Sequence, residues 1–152
     1  FVIPEVKLNE ETMYVPGTDG AKMSKSKGNY INIFLPDKQL RKQIMSIETD
    51  STPLEEPKNP DTCNVFGIYK LIATPEEIAT MRANYEGGGY GYGHAKTALY
   101  EKLLQRFVSE REQYNFYMNN LDKIDEALSV GASKAKPVAN KVLQRVREKV
   151  GY

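Results

Sequence analysis

Apolar residues recur along this chain at two different periods, and the switch between them predicts its layout. Near the start the apolar runs are short and broken. Phe1-Val2-Ile3 is β-prone and stops at Pro4. Met13-Tyr14-Val15 is a second short run, stopped by Pro16-Gly17, and Thr18-Asp19-Gly20 is turn chemistry. Tyr30-Ile31-Asn32-Ile33-Phe34 alternates only in part and reads as a short strand or extended segment. After Pro36 the period lengthens. Pro36-Asp37 opens a helix, with proline at the first helical position and Asp37 complementing the positive helix end. Leu40, Ile44 and Ile47 follow at helical spacing, and the helix is expected to stop near Thr49-Asp50-Ser51. Residues 50–61 carry Pro53, Pro57 and Pro60 and no aromatic residue, which predicts an exposed surface connection.

From residue 62 the pattern is helical almost throughout. Asn64 is expected to cap a buried helix carrying Val65, Phe66, Ile68, Tyr69, Leu71 and Ile72. Thr74-Pro75-Glu76-Glu77 is a start signal, with Thr74 as cap, Pro75 in first position and Glu77 closing a capping box. Ile78, Met81 and Tyr85 share one face, and Gly87-Gly88-Gly89 ends that helix. The longest helix is expected from about His94 to Met118, with an apolar stripe of Ala95, Ala98, Leu99, Leu103, Phe107, Tyr114 and Tyr117. Tyr114, Phe116 and Tyr117 read as core. A shorter helix should run from Asn119 or Asn120 through Leu128 and end at Gly131. The last helix, about 132–150, has Val138, Val142, Val146 and Val150 four apart, with Pro137 inside its first turns.

Composition bounds this picture. The 152 residues fit one domain, or one domain plus part of another. Net charge is +1, so any basic footprint for nucleic acid is local rather than global. Two local imbalances stand out: about −3 across residues 50–61 and about +5 across residues 134–149. Cys63 is the only cysteine and has no Cys or His at metal-ligand spacing, which argues against a disulfide or structural zinc and for a reducing compartment, the cytoplasm. No apolar run reaches the roughly 18 residues of a membrane span. The chain opens without Met in what reads as mid-strand, and is expected to be a fragment.

The chemistry is concentrated in Lys22-Met23-Ser24-Lys25-Ser26, followed by Lys27-Gly28-Asn29. Three ammonium groups supply point charges for phosphate, and successive amides in a tight turn make an anion-binding nest. Taken as composition alone, such a stretch is an ordinary solvated loop. As a specified pentapeptide it is expected by chance in on the order of one chain of this size in 10^4.

The pentapeptide matches the signature loop of class I aminoacyl-tRNA synthetases. Four further stretches resemble the tryptophanyl branch of bacterial enzymes: Ile47-Glu48-Thr49-Asp50-Ser51, Asn64-Val65-Phe66-Gly67-Ile68-Tyr69, Tyr85-Glu86-Gly87-Gly88-Gly89-Tyr90-Gly91 with His94-Ala95-Lys96, and Val15-Pro16-Gly17-Thr18-Asp19-Gly20. The resemblance covers nearly the whole chain and corresponds to the C-terminal portion of that enzyme. It implies a mainly α fold: the C-terminal edge of a Rossmann-like α/β domain over residues 1–35, then an antiparallel helical bundle of anticodon-binding type over 36–152. It implies ATP-dependent activation of L-tryptophan and transfer to its tRNA. Lys25 and then Lys22 would meet charge on the departing pyrophosphate. Met23, Ser24 and Ser26 would bind ATP phosphates or adenosine, with backbone near Thr12 and Met13 approaching the adenine. Magnesium would be held by ATP rather than by a carboxylate cluster. Lys134, Lys141 and Arg145 are the candidate tRNA contacts, and the full-length parent would be a homodimer. The family also needs a His-x-Gly-His motif. This chain has one histidine, His94, which reads as a helix-start or surface residue, so the fragment alone is expected to be inactive. Two alternatives stay open: a tyrosyl-type ligase, and a helical RNA- or partner-binding domain without catalysis.

Overall fold

The computed structural model describes residues 3–7 and 14–151. Among the described residues there are six α-helices: α1 Asp37–Met45, α2 Asn64–Tyr69, α3 Pro75–Gly87, α4 Tyr92–Arg106, α5 Val108–Asn119 and α6 Leu121–Val150, with a short 3-10 turn at Pro60–Thr62. The chain divides into two compact units, Phe1–Val108 and Ser109–Tyr152. Among the described residues there is no strand. The sole β-type pairing there is an isolated bridge between Pro16 and Lys22.

The core of the first unit follows the apolar periodicity. Leu40 and Ile44 of α1, Val65 and Phe66 of α2, Tyr85 of α3 and Ala95 and Leu99 of α4 are all at most 1% exposed. The α3 start forms as its four residues dictate. Glu77 N–H donates to Thr74 Oγ1 at 3.3 Å, and Thr74 N–H donates to the Glu77 carboxylate at 2.8 Å. Lys102 of α4 also reaches Glu77, at 2.7 Å, and this contact, ahead of the Thr74 amide, holds the Glu77 carboxyl below its ordinary value.

Several sequence-level expectations are corrected. The Tyr30–Phe34 segment is not a strand. Its backbone is consumed by the Gln43 side chain of α1, which donates to Tyr30 O at 2.7 Å and accepts from Asn32 N–H at 2.9 Å, and Asn32 then folds back on Phe34 N–H. Helix α1 ends at Met45 rather than near Thr49. Ser46 hydroxyl caps Gln43 O at 2.8 Å, and the Lys96 ammonium caps Met45 O at 3.1 Å. Asn64 does not cap α2. Cys63 holds that position, and the Asn64 amide instead donates to Glu48 O at 3.1 Å.

Residues 50–61 are the mostly exposed connection the prolines predict, but organised around one buried side chain. Lys58 is 4% exposed, and its ammonium donates to the carbonyls of Pro53, Leu54 and Glu56 at 2.7, 3.2 and 3.0 Å. A buried cation is tolerated only when its donors are satisfied, and here one lysine gathers the loop around itself. Lys58 N–H also donates to Tyr85 O at 2.7 Å, and Tyr92 hydroxyl donates to Asp50 Oδ1 at 2.7 Å. The acidic loop is thereby bound to the Tyr85–Tyr92 turn.

The helix expected from His94 to Met118 is two helices, α4 and α5, with Phe107 at the junction in a non-helical conformation (φ −111°, ψ 24°). In the second unit α6 is one uninterrupted helix of 30 residues, so Gly131 does not end a helix and Pro137 lies well inside one. A helical glycine costs about 1 kcal/mol, too little to stop a helix flanked by good formers. Tyr114, Phe116 and Tyr117 are 39%, 52% and 42% exposed, not core. No helix is long and apolar enough to cross a membrane among the described residues.

Candidate phosphate-binding loop

The lysine loop sits on a network of short-range hydrogen bonds. Its entry is fixed by Gly17 N–H to Ala21 O at 2.7 Å and Met23 N–H to Val15 O at 2.9 Å. Thr18 O accepts from Glu48 N–H at 2.7 Å, which ties the loop to the segment after α1. Its tip is a turn closed by Gly28 N–H to Lys25 O at 3.1 Å. Gly28 has φ +70°, a conformation other residues adopt only with strain.

At the centre is Asn29, 3% exposed. Its Oδ1 accepts from Ser24 N–H at 2.7 Å. Its Nδ2 donates to Asp19 Oδ1 at 2.7 Å and to Lys22 O at 3.2 Å, and its backbone O accepts from Thr18 N–H at 2.9 Å. Asp19 Oδ1 also accepts from Ala21 N–H at 3.0 Å. The Asn29 amide lowers the Asp19 pKa below the usual carboxylate value, opposed by desolvation and aided to a lesser extent by the Ala21 N–H. Gly17 is required for this closeness, because a Cβ there would lie 2.5 Å from Asn29 Nδ2.

The chemistry-bearing side chains are left available. Lys22, Lys25 and Lys27 are exposed, and among the described residues neither Lys22 nor Lys25 forms an ion pair. The Ser24 and Ser26 hydroxyls lie 2.8 Å apart. The loop thus presents two unneutralised ammonium groups and a hydroxyl pair on a backbone held from behind, which suits an anionic ligand with several oxygens. Sequence reasoning singled out these five contiguous residues but not Asn29, on which their backbone is held. Its polar type, three residues after the pentapeptide and next to a glycine, was the available signal.

Other expected site residues fall elsewhere. Thr12 and Met13 lie outside the described residues. Lys134, Lys141 and Arg145 are exposed on α6, and their spacings of seven and four residues on an unbroken helix put them on one face. His94 stands at the start of α4, where its Nδ1 accepts from Gly91 N–H at 3.3 Å. Tyr85, from one of the stretches that resembled the tryptophanyl branch, is fully buried. Its hydroxyl is 3.3 Å from Cys63 Sγ. Among the described residues no group of three or more His, Cys, Asp or Glu side chains is placed to hold a metal ion.

Comparison with known proteins identifies the family. Residues 1–108 match the family model for class I tRNA synthetases (W and Y), the same stretch that forms the first compact unit. The chain is 46% identical to a tryptophan–tRNA ligase of Campylobacter jejuni over 151 residues, which is 99% of this chain and 47% of that protein. It is 42% identical to the tryptophan–tRNA ligase of Fusobacterium nucleatum, again over 99% of this chain and 46% of the relative. A crystal structure of the Campylobacter jejuni tryptophanyl-tRNA synthetase, in complex with ADP and tryptophan, superposes with a TM-score of 0.88 at 46% identity, covering 98% of this chain and 47% of that one. The chain therefore spans about half the length of the relatives it matches. On sequence, fold and loop together, it belongs to the class I tRNA synthetase family, W and Y type.

Proposed function

We propose that this chain is the part of a cytoplasmic tryptophan–tRNA ligase that closes on ATP and reads the tRNA. In the first step a carboxylate oxygen of L-tryptophan attacks the α-phosphorus of ATP. The bond to the bridging oxygen breaks, and pyrophosphate leaves with the charge. The resulting adenylate then passes tryptophan to the 3′-terminal hydroxyl of tRNA(Trp), releasing AMP. Lys25 and Lys22 meet the charge that builds on the departing pyrophosphate, an interaction stronger in the transition state than in the ground state. Ser24 and Ser26 hydroxyls hold phosphate oxygens, Met23 borders the adenosine, and backbone near Thr12 and Met13 approaches the adenine. Magnesium would arrive on the ATP phosphates. Residues 1–35 would complete the nucleotide-binding catalytic domain and 36–152 would serve the tRNA, with the Gln43 clamp on Tyr30 and Asn32 coupling the two. The full-length parent would be a homodimer.

The observation that carries this reading is the lysine loop itself, its backbone hydrogen-bonded on one side and its two key ammonium groups unneutralised. ATP–pyrophosphate exchange tests it. The 152-residue chain by itself should show no tryptophan-dependent exchange, and a longer protein carrying a His-x-Gly-His segment should show it. Exchange by the short chain would sink the proposal that the other half of the site is required. Exchange that responds to tyrosine and not tryptophan would favour the tyrosyl alternative.

The α6 face of Lys134, Lys141 and Arg145 is proposed to contact tRNA phosphates. Three such contacts predict a log–log salt dependence with a slope of about −2 to −3. Lys141→Ala should reduce the slope by about one unit in filter binding. Binding that is insensitive to salt would remove this face from the tRNA interface.

A further inference from the structure

We propose that Asn29 is a positioning residue for amino-acid activation, acting on the two loop lysines through the backbone on either side of Met23. The inference rests on the assignment of the loop to pyrophosphate, and goes beyond it by naming what aims the loop.

The argument is geometric. One carboxamide grips Lys22 O at 3.2 Å and Ser24 N–H at 2.7 Å, so it spans the two peptide units that flank Met23. Those contacts fix the dihedral angles at Met23, and with them the directions in which the Lys22 and Lys25 side chains leave the chain. The amide cannot flip to serve another arrangement. Its Nδ2 faces the Asp19 carboxylate at 2.7 Å, which only a donor can do, and this leaves Oδ1 to face the Ser24 N–H. Asp19 is in turn held by Ala21 N–H. Asn29 is also anchored from its own backbone through Thr18 N–H, and it is buried. The pieces form a chain from a fixed carboxylate, through a fixed amide, to the backbone that carries the two ammonium groups. Asn29 itself touches neither phosphate nor tryptophan in this scheme, so its effect should fall on the rate of the chemical step and not on tryptophan binding.

The test uses the full-length ligase and reads kcat and KM of tryptophan-dependent exchange together with the thermal midpoint. A misplacement of about 1 Å can cost roughly 10²-fold in rate. Other tethers remain in Asn29→Ala, so the expected fall in kcat is on the order of tenfold, with KM for tryptophan unchanged. Asn29→Asp should do more harm, because it sets a second carboxylate against Asp19. Adding Asp19→Asn should relieve that repulsion and restore part of the thermal midpoint but not kcat, since the carboxylate at position 29 still accepts from Ser24 N–H yet has no donor left for Lys22 O. A purely structural role would instead let kcat recover together with the thermal midpoint. Combining Asn29→Ala with Lys25→Ala should give less than the product of the two separate losses. The inference is overturned if Lys25→Ala slows exchange while Asn29→Ala keeps the parental kcat. It is also overturned if the Asp19/Asn29 exchange restores kcat together with the thermal midpoint. If Lys25→Ala itself leaves exchange intact, the pyrophosphate assignment fails instead, and this inference falls with its premise.

Discussion

Lys25→Ala in the full-length ligase is expected to slow tryptophan-dependent ATP–pyrophosphate exchange by about 10²- to 10³-fold, with tryptophan affinity nearly unchanged. The size follows from removing one preorganised donor to developing charge, which typically costs about 3 kcal/mol of barrier, and each 1.4 kcal/mol or so is a factor of ten in rate. The location follows from the structure. The Lys25 side chain is exposed and forms no ion pair among the described residues, so its charge is not already spent on a carboxylate. Its carbonyl accepts from Gly28 N–H at 3.1 Å, which places it at the tip of a closed turn. A point charge is what matters at a flexible phosphate contact, so Lys25→Arg should retain part of the rate, limited by the different shape of the guanidinium. The readout is a comparison of kcat with KM. If tryptophan affinity collapsed while the rate held, Lys25 would be a substrate-binding group and its pyrophosphate role would be wrong.

Tyr85→Ala is expected to lower unfolding free energy by about 3–5 kcal/mol, the usual cost of emptying a large aromatic site. That is a large share of the roughly 5–15 kcal/mol that holds a typical domain together. Tyr85 is fully buried and is packed by Phe66, Tyr90 and Tyr92 with ring centroids 5.7, 5.7 and 6.1 Å away. Burial, followed by the Cys63 contact, raises the pKa of its phenol well above the ordinary value, so the hydroxyl stays neutral. Its carbonyl also receives Lys58 N–H, so the side chain and backbone together hold α3 against the acidic loop. Tyr85→Phe keeps the ring and loses only the hydroxyl contact, and should cost about 1 kcal/mol. Urea unfolding of the three proteins measures both. A loss below about 1 kcal/mol for Tyr85→Ala would mean that the surrounding rings close over the space.

These two residues mark the range of what was readable. Lys25 belongs to a contiguous pentapeptide whose charges and hydroxyls need no fold to be recognised. Tyr85 was readable as part of the α3 apolar face and as the start of a turn, but its partners Phe66 and Cys63, about twenty residues earlier in the chain, were not. The capping box at Thr74 and Glu77 was legible because both partners lie within one helical turn. Of the two readings of Tyr30–Phe34, short strand or extended segment, the strand failed because its backbone partner is a glutamine side chain 11 to 13 residues away, and no period in the segment reports that. The break at Phe107 had no glycine or proline to announce it. The helix continuing through Gly131 shows the converse, a local breaker too weak to act.

The sequence by itself determined which charges and hydroxyls the lysine loop carries, the helical majority of the chain and the apolar faces of α1, α3 and α4. Each is encoded by neighbours within a turn or two, where spacing and side-chain type are sufficient. Only the tertiary structure decided how the loop is held and what becomes of the acidic segment. Asn29 and Lys58 are ordinary polar residues in any local window. They become organising centres when folding removes them from water, because a buried amide or ammonium must then find partners for its donors. For Asn29 those partners are Asp19, Lys22 O and Ser24 N–H; for Lys58 they are three carbonyls of its own loop.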